Sequence, residues 1–466
     1  MSENARVPEI ETFRIVMPRN SNSEVLLLRD GDRYALPQVT IPKWNRVARC
    51  ITESVAKLWS LSALCLFQPE IQNKFPDTGR DKYFVMEPRD PHWCERADLA
   101  WVSRDKICSK LQPSLDADVL QEILETADCY NAGTLPGPFA RYGWFDDLIS
   151  WAQSRLNALR LTGKFRQFNG DPFFSLIRLE TNGPSVWFKA VGEPNLHEYG
   201  ITISLADRHS LYFPKVFAAR PDWHGWLMEE AQGQSLEESK EPEAWFAAAS
   251  TLGGMQSDFT GQTNWLLTIG CRDYRIPTVL RKLDPFLEVI TELMQKQPSA
   301  TPPALSRTEL MVLGRILNNI CYRLHDLGIP DSLGHCDLNP ANIIVTKNGG
   351  AFIDWAEAYV GFPFATFEYL RLTSRNYFPR SESWNDKLED SYFTIWESLT
   401  SRKRIAEART LTPIFAALFA AMSTRGWEDP QNFHNPLLAK WLRSLTRRMQ
   451  REVQILTNSG NLCIVS

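Results

Sequence analysis

The stretch from Leu333 to Trp355, LGHCDLNPANIIVTKNGGAFIDW, constrains this chain more than any other. It opens as a polar loop, His335-Cys336-Asp337-Leu338-Asn339-Pro340-Ala341-Asn342, and passes into the apolar run Ile343-Ile344-Val345. The turn-forming Lys347-Asn348-Gly349-Gly350 follows, then a second apolar run that ends at Asp354. Two apolar runs joined by Asn-Gly predict a hairpin of Ile343–Val345 with Ala351–Ile353. A hairpin returns Asp354 to the end at which Asn342 left the loop, beside Asp337. Three short polar groups gathered this way suit phosphoryl transfer. One carboxylate accepts the proton of a substrate hydroxyl, and two oxygen ligands hold magnesium ions that bridge nucleotide phosphates. Pro340 stiffens the loop ahead of Asn342.

The string H-x-D-x-x-x-x-N, followed by an apolar hairpin and Ile353-Asp354-Trp355, resembles the aminoglycoside phosphotransferase and choline-kinase superfamily, distant relatives of protein kinases. The usual family loop is H-G-D-L-H-x-x-N; here Cys336 stands for the Gly and Asn339 for the second His. The resemblance implies Asp337 as catalytic base, His335 as the catalytic-loop histidine that braces it, and Asn342 and Asp354 as magnesium ligands. ATP is the implied phosphate donor and a small hydroxylated molecule the acceptor. The implied fold class is α+β and two-lobed, with a β-rich small lobe over 144–232 and a helical large lobe over 233–466.

Small-lobe residues are assigned by the same resemblance. Lys189, ending the strand-like Val186-Trp187-Phe188, is the nucleotide-phosphate lysine, and Glu198 is its ion-pair partner. Gly170, in Asn169-Gly170-Asp171, is the phosphate-covering turn, although the full G-x-G-x-x-G is missing. Glu229 and Ala231 lie in the connection whose backbone meets adenine, and Gly233 eases the turn beyond it. Ordinary roles compete with each of these. A lone lysine ending a strand is usually solvated, a glutamate opening a helix is favoured by the helix dipole alone, and Glu357 reads as a solvated or capping carboxylate.

Upstream, residues 9–110 are expected to be mostly strands with one helix over Asn45–Leu61 (Val47, Ile51, Val55 and Leu58 on one face). They weakly resemble a Nudix fold through Val25–Leu28, Tyr34-Ala35-Leu36-Pro37 and Leu99–Ser103; an unrelated α+β domain is the alternative. A Nudix hydrolase holds its metal on a glutamate-rich helix, and CITESVAKLWS has Glu53 alone, so a domain over 1–130 is expected to be inactive. Residues 131–143, NAGTLPGPFARYG, read as a linker by their glycines and prolines. Helices are expected at 144–159, 308–327, 384–400, 404–423 and 435–456.

Composition narrows the partners. Lys and Arg number 51 against 55 Asp and Glu, which argues against a dedicated nucleic-acid binder. Nine scattered cysteines without a C-x-x-C pair argue against a disulfide framework or zinc site. The most apolar run, Ile414 to Met422, is short of a membrane span, so a cytoplasmic protein without membrane contact is expected, its oligomeric state open. From 361 to 466 there are 14 basic and 10 acidic residues, an excess that disfavours a polycationic acceptor. A non-catalytic nucleotide-binding scaffold remains the alternative. A protein-serine kinase is disfavoured, because no A-P-E segment follows Asp354.

Overall fold

The computed structural model describes residues 9–459 apart from 32, 44–45, 72–73, 76–81, 91–92, 94–95, 112–113, 347–348 and 379–381. The chain divides into two compact units, Met1–Tyr199 with Lys215–Glu230, and Gly200–Pro214 with Ala231–Ser466. The first is rich in sheet and the second in helix, the α+β composition the sequence implied.

In the first unit a mixed sheet runs in the order Gln38–Pro42, Ile10–Val16, Lys82–Pro88, Ala63–Phe67, with the middle pair parallel. The helix Val47–Trp59 covers one face: its Ala48, Ile51, Val55 and Trp59 recur at helical spacing and are buried in a cluster with Phe13, Ile15 and Phe84. Glu53 on its outer side pairs with Arg49 at 3.0 Å. A second sheet joins Pro18–Arg19, Glu24–Asp30, Arg33–Ala35 and Leu99–Ser103. A third, antiparallel and five-stranded, runs Val216–Arg220, Gly225–Glu229, Val186–Ala190, Ser175–Thr181, Leu161–Gly170.

Residues 131–143 are not a free linker between separate domains. Phe139 is 1% exposed, and its ring lies 5.0 Å from Trp144, 5.5 Å from Trp223 and 6.1 Å from Phe188. One buried cluster contains Val16 and Val25 from the N-terminal sheets, Leu120 and Ile123 from the helix Ser114–Ala132, and Ile177, Phe188 and Leu227 from the five-stranded sheet. The segment's glycines and prolines shape a turn that carries a large aromatic into this core, and composition alone does not separate such a turn from a tether. Gln167 adds a polar link. It is 1% exposed, and its carboxamide accepts from the Cys65 N–H at 2.7 Å and donates to the Cys65 carbonyl at 2.8 Å. The five-stranded sheet thus satisfies both backbone groups of a residue on the edge strand of the mixed sheet.

In the second unit, the helix Arg307–Asp326 starts at a capping box of Ser306 with Glu309 and buries Leu313, Leu317, Ile320 and Leu324. Two small sheets frame the site. One joins Gln234–Ser235, Ile343–Thr346 and Gly349–Phe352; the other joins Arg272–Tyr274, Ala358–Gly361 and Ser332–His335. Gln256, fully buried on the helix Pro242–Asp258, donates to the carbonyls of Leu333 and Pro363 and accepts from the Tyr392 hydroxyl. It thereby fixes the strand that feeds the polar loop. Among the described residues, one helix, Arg402–Ser423, is long and apolar enough to cross a membrane, and 67% of its apolar window is buried inside the protein.

Candidate active site

The hairpin forms as expected, with Ile343 opposite Phe352 and Thr346 opposite Gly349; Lys347 and Asn348 of the turn lie outside the described residues. At its open end the Ile353 N–H donates to the Asn342 carbonyl at 3.0 Å. Asn342 and Asp354 are therefore brought to the same end of the hairpin.

The loop is held from within. His335 ends the strand Ser332–His335 and is 1% exposed. Its Nδ1 accepts the Asp337 backbone N–H at 3.1 Å, which assigns the ring proton to Nε2, 3.3 Å from the Ile353 carbonyl it donates to. Burial lowers its pKa below the ordinary histidine value, against the opposing charge of Asp354, so the ring is neutral. A neutral histidine with both nitrogens engaged is a brace between the loop and the strand leading to Asp354.

Asn339 does two jobs that the sequence reading did not assign. Its Oδ1 accepts the Ala341 N–H at 3.1 Å, capping the short turn Pro340–Asn342, and its Nδ2 donates to Asp337 Oδ1 at 3.1 Å. The Asn-Pro pair is a known turn-starting signal, so the cap was legible; the bond to Asp337 was not. Asn342, 8% exposed, donates from Nδ2 to the Asp337 carbonyl at 3.0 Å, which orients its amide. Asp354 adopts φ 68° and ψ 63°, a left-handed conformation that Asp tolerates better than most residues. It turns the chain so that Trp355 sinks to 1% exposure, its ring 4.9 Å from His335. The Asp337 and Asp354 residues remain exposed.

Asp337 opens onto a cavity of about 350 Å³ whose other walls include Tyr369, Phe419, Trp441, Arg425 and Arg448. Tyr369, half-buried, has its hydroxyl pKa raised first by burial and then by the charge of Asp337 and a hydrogen bond to it. Glu357, also on the wall, is not a solvated carboxylate: Arg272 reaches it at 2.5 Å and Arg425 at 2.9 Å. Nothing local in the sequence marks those two arginines.

In the first unit, Lys189 and Glu198 do pair, at 2.5 Å, with the Glu198 side chain 2% exposed. The Lys189 ammonium also lies 5.8 Å from the Trp226 ring. Gly170 is explained differently from the expectation. A Cβ there would stand 2.9 Å from Cys65 Cβ and 3.1 Å from its carbonyl oxygen, so the missing side chain makes room for the N-terminal sheet. The Glu229 N–H is taken by the Lys215 carbonyl at 2.9 Å within the sheet, which removes it as a donor to adenine. Ala231 begins the second segment of the other unit. Gly233 there has φ 124°, and a Cβ would fall 2.2 Å from the Val345 oxygen, so only glycine fits.

Comparison with known proteins finds a family match over part of the chain. Residues 192–401 match the phosphotransferase enzyme family, APH. The stretch contains His335, Asp337, Asn342 and Asp354, so the resemblance read from the loop is borne out there. Similar solved structures include choline kinase from Cryptosporidium parvum Iowa II (12% identity, 68% of this chain and 98% of that one, TM-score 0.47). Others are a choline/ethanolamine kinase family protein from Mesorhizobium loti (14%, 67% and 96%, 0.45) and Plasmodium vivax ethanolamine kinase (14%, 73% and 95%, 0.44). No curated protein matches the sequence.

Proposed function

We propose that the chain is an ATP- and magnesium-dependent phosphotransferase that moves the γ-phosphate to a hydroxyl of a small molecule. The observation that carries the reading is the loop geometry: an exposed Asp337 carboxylate steadied by Asn339 beside a cavity, with Asn342 and Asp354 at the end of the hairpin where the Ile353 N–H meets the Asn342 carbonyl. Asp337 accepts the acceptor's hydroxyl proton as the oxygen attacks phosphorus. Asn339 holds that carboxylate and His335 holds the Asp337 backbone N–H, so the group is positioned for the transfer.

The donor set fits magnesium. Asn342 has its Nδ2 committed to the Asp337 carbonyl, which leaves Oδ1 as the end that meets a cation, and Asp354 supplies a carboxylate. Magnesium is commonly held by one or two protein oxygens, with phosphates and water completing its shell. Bound there, it would neutralise charge on the transferring phosphoryl group. Lys189, steadied by Glu198, is the proposed contact to the nucleotide phosphates.

A phosphate-transfer screen over hydroxylated metabolites tests this. Asp337→Asn should reduce turnover by ~100-fold or more while ATP affinity stays within about threefold. Equal turnover in the two proteins would remove Asp337 from the chemistry. The packing role of Gly170 favours a second reading, a non-catalytic nucleotide-binding scaffold. Thermal stabilisation by Mg-ATP, compared between the parent and Asp354→Ala alongside the turnover assay, separates the two readings.

A further inference from the structure

We propose that the acceptor is an anionic alcohol: a hydroxyl for Asp337, an apolar or ring body, and a carboxylate or phosphate group held by Arg425 and Arg448. The inference rests on the phosphotransferase reading and specifies its substrate class.

Size comes first. At ~30 Å³ per water-sized group, a cavity of about 350 Å³ takes on the order of ten non-hydrogen groups. That accommodates a short chain or a single ring within the cavity. The body of the cavity is apolar and aromatic, with Tyr369 and Leu372 from the helix Phe364–Ser374, Phe419 from Arg402–Ser423, and Trp441 from Pro436–Asn458. The Trp441 indole is fixed by its Nε1, which donates to the Thr424 hydroxyl at 3.1 Å.

Charge then decides which alcohol. Away from Asp337, the carboxylate on the wall among the described residues is Glu357, and it already serves two guanidiniums, Arg272 at 2.5 Å and Arg425 at 2.9 Å. Arg448 is the second guanidinium on the wall, apart from the Glu357 cluster. Its carboxylate neighbours, Glu368 and Glu452, each stand 3.8 Å away, beyond hydrogen-bond reach. Glu368 is meanwhile held in two-point fashion by Arg371 at 2.7 and 2.8 Å. The buried Nη2 of Arg448 makes no hydrogen bond among the described residues. A guanidinium in a mostly apolar wall, with its planar fork short of partners, is what a carboxylate or phosphate satisfies. The aromatic walls would attract a quaternary ammonium by themselves; the two guanidiniums on the same wall, Arg425 and Arg448, oppose it.

The test offers the protein, at saturating Mg-ATP, five probes: choline, ethanolamine, myo-inositol, 4-(hydroxymethyl)benzoate and glycerol 3-phosphate. Phosphorylated product is read by mass spectrometry and binding by calorimetry. The expected result is that 4-(hydroxymethyl)benzoate or glycerol 3-phosphate exceeds choline and ethanolamine in kcat/KM by ~10-fold or more. Which of the two wins distinguishes a carboxylate from a phosphate. Arg448→Gln should raise KM for the better anionic probe by ~10-fold with kcat within about threefold and ATP affinity unchanged, and Arg448→Lys should recover part of the loss. Preference for choline, ethanolamine or inositol would overturn the inference and leave the phosphotransferase reading standing. So would a folded Arg448→Gln protein with unchanged KM, or failure of both anionic probes to bind. No product from any probe and no Mg-ATP stabilisation would overturn both.

Discussion

Replacing Gln167 by Leu tests whether the N-terminal sheets and the five-stranded sheet are one cooperative structure. Leu approximates the volume of Gln and removes both bonds to Cys65, at 2.7 and 2.8 Å. Cys65 and Gln167 are 0% and 1% exposed, so water does not replace the lost partners in the native fold. Each orphaned backbone group costs about 1–3 kcal/mol. Burial of the added apolar surface returns roughly 1 kcal/mol, which leaves a net loss of about 1–5 kcal/mol for the two groups together. That is a large share of the ~5–15 kcal/mol that typically holds a domain. Urea unfolding followed by tryptophan fluorescence reads the loss as a lower midpoint. Because Val16, Leu120, Phe139 and Phe188 share a core, the signal from residues on both sides of 131–143 should shift together. A change below about 0.5 kcal/mol, or an N-terminal transition that stays in place while a separate one moves, would refute the shared core.

Three further outcomes follow from single residues. Burial pushes the Asp331 carboxyl up to about 6, so its folded pKa lies above its unfolded one; the folded state binds the proton more tightly, and stability falls as pH rises from about 4 through 6. Asp331→Asn should therefore stabilise the protein by about 2–3 kcal/mol at pH 8 and by little at pH 4; equal Tm gains at both values would contradict this. Gly233→Ala should lower Tm sharply, since its Cβ meets the Val345 oxygen at 2.2 Å and φ is 124°; a loss under ~1 kcal/mol would be inconsistent with that contact. Asn339→Ala should lower kcat by roughly tenfold with ATP affinity preserved, because it removes the Asn339 bond to the Asp337 carboxylate while leaving Asn342 on the Asp337 carbonyl; an unchanged kcat would remove Asn339 from the positioning of Asp337.

The hairpin was legible because its information is local: two short apolar runs and turn chemistry lie within a dozen positions, and backbone pairing follows from them. The helix Arg307–Asp326 was legible for the same reason, through its apolar spacing. The sheet of Arg272–Tyr274, Ala358–Gly361 and Ser332–His335 was not, since three- and four-residue strands drawn from distant segments have no periodicity to read. Gly170 misled because a glycine after a strand has the same appearance whether a phosphate or another sheet approaches it.

By itself, then, the order of residues determined the proposed reacting core: which carboxylates and amide follow one loop and one hairpin, and so the chemistry they suit. Tertiary structure alone decided what surrounds that core. Arg425 and Arg448 come to the cavity beside Asp337 from segments far apart in the chain, Arg272 meets Glu357 on its wall, and Gln167 meets Cys65 across 102 positions. Local propensity dictates turns and faces, whereas long-range contacts are selected by the packing of whole elements, and no short window of sequence records that outcome.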